Sequence, residues 1–288
     1  MAEEQALATG QPGALNTAVV DDFDYGDDRG QGFENQSMAD RKLPVIELLQ
    51  SNSPSVVRGK GKVWAGMFRN TVTDEVMEQI LFIPAITDHC FTEWLPRDDG
   101  GGFRGRHRKD SAVVREAIAR NNGRSIGRLP VPQPNDKSGK VMPAHELVET
   151  FEIYALLLSK DGEVAGIGLI PFASTKIKEY RTWNTRIANF APTLGGRKFS
   201  PGEIPIFAHR VALTSIDSPA GGQYDFKLPA LAPANGGDDL KNSLLPPKDL
   251  RYQAAKKLHD DVKTGLARAV YENASQDVGE DREADVGF

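Results

Sequence analysis

The sequence predicts a mainly β protein, a small antiparallel β-barrel with long loops, and three observations carry that expectation. Short runs of alternating apolar residues recur through the middle of the chain, glycine, proline and Asp-Gly turn signals separate them, and one amphipathic helix interrupts the series. With 39% hydrophobic and 26% charged residues over 288 positions, the chain has enough apolar material for a sizeable core.

Residues 1–41 contain DDFDYGDDRGQG and little to bury, so they are expected as a disordered acidic arm. The barrel domain is expected over 42–228. In residues 62–69 (KVWAGMFR), Val63, Ala65 and Met67 alternate with Trp64 and Phe68, as in a strand. EQILFIPAIT and HCFTEWLP follow as two strands, or as one long strand bent at Pro84, where proline is tolerated at an edge or bulge. Residues 97–143 begin with RDDGGGFRGRHRKD and end in a Pro/Asn/Lys/Gly stretch, a basic loop. Two strands then flank Lys160-Asp161-Gly162, a hairpin signal. Ser174 or Thr175 can cap the next segment, where Ile177, Tyr180, Trp183 and Ile187 recur at helical spacing. IPIFAHRVALTSI and GQYDFKL supply the last strands. A linker at 229–245 leads to an amphipathic helix at 246–272, marked by Leu250, Ala254, Leu258, Val262 and Leu266, and then to an acidic tail at 273–288. A helix between the third and fourth strands is the layout of the five-stranded OB barrel, and two packed antiparallel layers fit the same pattern.

The single cysteine, Cys90, excludes internal disulfides and a Cys-paired zinc site and fits a reducing compartment. Glu3 and Glu4 follow Met1 with no basic region, and no apolar run approaches the ~18 residues of a membrane span. A cytoplasmic protein is expected. The formal charge of −5 is unevenly spread: residues 1–37 hold eight acids and one base, residues 272–288 six acids and one base, which leaves +7 for the body. A basic body between acidic ends points to a polyanionic partner.

Residues 97–128 hold nine Lys or Arg against four acids. Arg104, Arg106, Arg108 and Lys109, with His107 and Phe103 among glycines, are the combination that follows a phosphate backbone. Trp64, Phe68 and Trp94 are candidates to stack bases, and Lys176, Lys178, Arg181 and Arg186 surround Tyr180 and Trp183 on the expected helix. Gly100-x-Gly102-x-x-Gly105 matches a dinucleotide fingerprint in spacing, but RHRKD follows where that motif needs an apolar helix. His145-Glu146-x-x-Glu149 lacks the second histidine of a zinc helix. Asp217 with Asp225-Phe226-Lys227 has the order of a metal-dependent nuclease and is a minor reading. No catalytic residue, metal site or cofactor is expected.

The last residues are acidic and close on a large ring. Asp277, Glu280, Asp281, Glu283, Asp285 and a terminal Phe288 resemble the tails of bacterial and bacteriophage single-stranded DNA-binding proteins. The bacterial form carries proline before the final phenylalanine, where this chain has Gly287. The resemblance implies an OB barrel holding single-stranded DNA, and a tail that recruits replication or recombination enzymes through Phe288 and its acids. The expectation is therefore a non-enzymatic single-stranded DNA-binding protein of phage replication or recombination, able to form homo-oligomers. A virion structural or scaffolding protein is the alternative.

Overall fold

The computed structural model describes residues 42–125, 127–135, 137–217, 227–234 and 239–264. The expected acidic arm, the far end of the last helix and the tail positions Asp277, Glu280, Asp281, Glu283, Asp285 and Phe288 lie outside these residues. The elements are β1 (Ile46–Leu48), α1 (Pro54–Arg58), β2 (Phe68–Asn70), β3 (Val76–Met77), β4 (Ile80–Trp94), β5 (Phe103–Arg108), α2 (Ala112–Arg120), β6 (Arg128–Val131), β7 (His145–Leu158), β8 (Val164–Ala173), α3 (Ile177–Ala188), β9 (Thr193–Leu194), β10 (Arg197–Lys198), β11 (Val211–Asp217), β12 (Lys227–Pro233) and α4 (Leu250–Lys263).

β4 and β7 lie antiparallel from Leu81 opposite Leu158 to Trp94 opposite Glu146. Each long strand is shared by two partners on its other flank. β4 pairs β11 through residues 80–82 and β5 through residues 90–94. β7 pairs β8 through residues 150–158 and β6 through residues 145–148. Pro84 falls between the β11 and β5 contacts and beside a bulge at Ala85, so its missing N–H removes nothing from the ladder on that flank. The alternative of one long bent strand is the one that forms.

The seven-stranded order β12-β11-β4-β7-β6, with β5 on β4 and β8 on β7, does not return on itself. The protein is mainly β and antiparallel, but the closed OB barrel does not form. Growth runs along the two long strands instead of around an axis. Where a barrel would need a closing strand, residues 44–50 make isolated contacts: Leu169 N donates to Pro44 O at 2.8 Å, and the Gln50 amide exchanges hydrogen bonds of 2.9 and 3.0 Å with the Lys227 backbone. β1–β3 form a separate three-stranded sheet, and β9–β10 form a hairpin.

Strand alternation divides the core between the two faces of the large sheet. Phe82, Ile153, Ile170, Phe172 and Leu213 line one face and are covered by Tyr180, Trp183 and Ile187 of α3. Ile83, Leu156 and Leu158 line the other and pack on Ala255 of α4. The hairpin expected at Lys160-Asp161-Gly162 joins β7 to β8, with Gly162 at φ +82°. α3 is entered through a 3-10 turn at Ser174–Lys176 and has no side-chain cap, unlike the capped start expected there.

Four expectations fail locally. Of residues 62–69, only the end joins a strand, because Lys60, Gly61 and Gly66 take positive φ and turn the chain. Residues 97–143 are a strand, a helix and a strand, β5, α2 and β6, with Val114 and Ala117 of α2 packed on Phe91, Leu129 and Leu147. Leu250 stands exposed at the start of α4 while Ala255 and Leu258 are buried, so the buried stripe is displaced from the expected one. The expected linker also loses residues 229–233 to β12.

His209 is fully buried beside Phe190, and neither ring nitrogen has a hydrogen-bond partner among the described residues. Burial pushes its pKa down to about 4. The unfolded chain therefore takes up a proton near pH 6.5 that the folded chain refuses, and stability present above that pH is lost as pH falls toward 4. Between pH 7 and pH 5 the native protein is expected to lose ~2 kcal/mol more than His209→Phe, measured by urea unfolding at both pH values. Parallel losses would mean that His209 does not titrate with folding.

Candidate nucleic-acid interface

β5, α2 and β6 build a cationic surface because their large apolar residues are few and are buried or partly buried. Ser111 caps α2 by accepting from Val114 N, and Asn122 and Gly123 end the turn beyond it in left-handed backbone. With Val114 and Ala117 buried, the outer side of α2 presents Arg115 and Arg120 against Glu116. In β5 a bulge makes Arg104 the extra residue, since Glu93 faces Gly105 and Trp94 faces Phe103. Its side chain is exposed. Arg104, Lys109, Arg115, Arg120 and Arg124 make no ion pair with any described residue. Arg108 is exposed but engages Asp110 at 3.2 Å.

Other polar members of β5 hold the sheet together. Arg106 donates from Nε and Nη2 to the carboxylate of Glu152, which is fully buried, at 2.8 to 3.2 Å, and also pairs with Asp88. Burial opposes the Arg106 charge, yet hydrogen bonds to Glu152 and its charge hold the guanidinium above its usual range. Burial, reinforced by Glu152, pushes up both the Cys90 thiol and the Tyr154 phenol, so neither is an ionised nucleophile.

On the opposite face, Glu93 accepts from His145 Nδ1 at 2.5 Å and from His107 Nε2 at 2.6 Å. A Cβ at Gly105 would lie 3.3 Å from His107 Nε2 and 3.7 Å from Glu93 Oε2, so glycine leaves room for this pair. Burial works against ionisation of Glu93, but the two histidine contacts outweigh it and hold the carboxyl below its usual range.

The structure separates the sequence-predicted aromatics. Trp64 is 49% exposed, whereas Trp94 and Phe68 are 4% and 1% exposed. The Trp94 indole donates to Thr92 Oγ1 and meets Phe103 edge-on, and Phe68 lies in the main core. Of the α3 cations, Lys176 is buried, Lys178 and Arg186 are exposed, and Arg181 stands over the Phe151 ring and 3.6 Å from Glu149. Tyr180 and Trp183 are core. Sequence reasoning missed Arg58, Lys60 and Lys62, exposed cations just before Trp64. The alternation RGKGK was the signal that could have found them.

The residues of the three enzyme-like patterns have these places in the fold. Gly105 lies within a strand, His145 and Glu149 lie on a strand and not a helix, and Lys227 pairs with Asp217 while Asp225 lies outside the described residues. Among the described residues no group of three or more His, Cys, Asp or Glu side chains is arranged to hold a metal ion. No described helix is long and apolar enough to cross a membrane.

A family model described as Pam3 phage gp34-like protein matches residues 12–268. The chain belongs to that family. The match covers the whole folded body, including β5, α2 and β6, and points to a bacteriophage origin. No curated protein and no solved structure matches the chain.

Arg106→Ala leaves Glu152 as an uncompensated buried charge and is expected to destabilise the fold by ~3–5 kcal/mol in urea unfolding. Arg104→Ala and Lys109→Ala are expected to stay within ~0.5 kcal/mol of the native protein. A small effect of Arg106→Ala would show that the pair does not hold β5.

Proposed function

We propose that the chain binds single-stranded nucleic acid, with phage DNA in replication or recombination as its substrate. The observation that carries this reading is the set of exposed cations with no ion pair among the described residues on β5, α2 and the turns that follow them: Arg104, Lys109, Arg115, Arg120 and Arg124. Within the same unit, acids are supplied to Arg106, Arg108 and Arg128. Unpaired cations that add little to folding have their use in phosphate contacts, which gain affinity by releasing counterions. The +7 body between acidic ends supports the same reading.

The buried places of Arg106, Trp94, Phe68 and Lys176 shape it further. Contact falls to outer side chains of the β5–α2–β6 unit and not to a barrel groove. Such a surface tracks backbone phosphates and is tolerant of sequence.

If these five cations each meet a phosphate, the slope of log K against log salt for a labelled single strand is about −3.5. Neutralising Arg104, Lys109 and Arg115 to Gln is expected to make the slope shallower by about 2 and to leave the unfolding midpoint in place. Anisotropy titrations over a salt series measure both. A slope near zero, or equal affinity for duplex, overturns the reading.

A further inference from the structure

The segment joining α1 to β2 reads RGKGKVW over residues 58–64 and has no evident role in the fold. Arg58, Lys60 and Lys62 are exposed and make no hydrogen bond or ion pair with any described side chain. Arg58, in the last turn of α1, helps to offset the carboxyl end of that short helix. That role does not extend to Lys60, Lys62 or the exposed Trp64. Among the three tryptophans this exposure is particular to Trp64, since Trp94 and Trp183 are in the core.

The loop is anchored at both ends. Lys60 and Gly61 take φ of +48° and +83°, and Lys62 N donates to Gly59 O at 2.9 Å, which closes the cationic turn. Beyond the indole, Met67 N donates to Trp64 O at 3.3 Å and Gly66 N to Leu49 O at 2.8 Å. Gly66 itself is pressed against β11, where a Cβ would stand 2.7 Å from Ser215 Oγ. Trp64 is therefore carried two residues from a fixed point, and holding its ring against a ligand requires little further ordering.

A half-exposed indole on an anchored backbone, preceded in the loop by three cations with no described partner, combines a flat apolar surface with positive charge. Unpaired bases offer π-faces flanked by phosphates, whereas the bases of a duplex are already stacked on each other. We propose that residues 58–64 form a base-stacking contact for single strands, in which Trp64 stacks on an unpaired base and Arg58, Lys60 and Lys62 hold the adjoining phosphates. The inference rests on the nucleic-acid reading above and adds a second contact that senses bases, where the β5–α2–β6 surface senses phosphates.

The test compares an ordinary oligonucleotide with an abasic strand of the same length, using tryptophan emission and anisotropy. The ordinary strand is expected to quench the exposed Trp64 emission over the background of Trp94 and Trp183, and the abasic strand is not. Trp64→Ala is expected to weaken binding of the ordinary strand roughly ten- to a hundred-fold and to leave abasic binding as it was. Trp64→Phe is expected to restore most of the difference. Lys60→Gln with Lys62→Gln is expected to weaken both strands alike and to reduce the salt slope by about 1.4. If the native protein binds strands but Trp64→Ala binds both as tightly as before, the stacking contact is wrong and the phosphate surface stands. If the native protein binds neither strand at low salt, the underlying reading falls and takes this one with it. Quenching by anionic lipid vesicles and not by the strand would make the loop a membrane contact and overturn the proposal.

Discussion

The pairing of β4 with β7 is the interaction on which the rest of the structure hangs. Each strand is long enough to take two partners on its free flank, so every other strand of the large sheet except β12, which docks on β11, pairs with one of these two. Near the middle of this pair, Glu152 faces Asp88 across the ladder. Two carboxylates so close would repel, and one of them is fully buried. The Arg106 guanidinium from β5 answers both, and this is why a strand as polar as FRGRHR belongs in the sheet at all. A shift of β5 by one residue would carry Arg106 to the other face and leave Glu152 alone in the interior, so the ion pair fixes the register as well as the attachment.

The same strand shows how the fold sorts cations by purpose. Arg106 turns inward to Glu152, His107 turns to the opposite face and to Glu93, and Arg104 at the bulge is exposed with no ion pair among the described residues. Structural and available charges therefore sit within a few residues of one another. A short helix covered on its inner side by Val114 and Ala117 continues the outward set with Arg115 and Arg120. A packed layer beneath and charge with no described partner above fit the proposed contact with a flexible polyanion, because the protein side needs little ordering on contact.

The other loop of interest, residues 58–64, depends on the sheet in a different way. Its exit is fixed by Gly66 against β11 and by backbone bonds to Leu49, both set by where β1 and β11 lie. Trp64 and Phe68 share a face in an ideal strand, yet one is exposed and the other lies deep in the core. The turn at Gly66 between them breaks the alternation that would have treated them alike.

By itself the sequence determined the antiparallel, mainly β character, the hairpin at Asp161-Gly162, and α3 with Tyr180, Trp183 and Ile187 inward, and it left one long strand bent near Pro84 as one of two readings. These follow from local chemistry, namely turn-forming pairs and apolar periodicity, which act within a few residues. It also marked 97–128 as a basic stretch with Arg104 and Lys109 among its cations. Only the tertiary structure decided that this stretch holds a strand and a helix, since β5 is stabilised by carboxylates from β4 and β7, and α2 by an apolar face of a few residues closing on Phe91 and Leu147. Closure of the sheet was equally illegible, because it depends on which edges meet, and edges carry no periodic signature. Which arginines were free was settled last of all, for an ion pair between residues 46 positions apart, Arg106 and Glu152, leaves no trace in either neighbourhood of the chain.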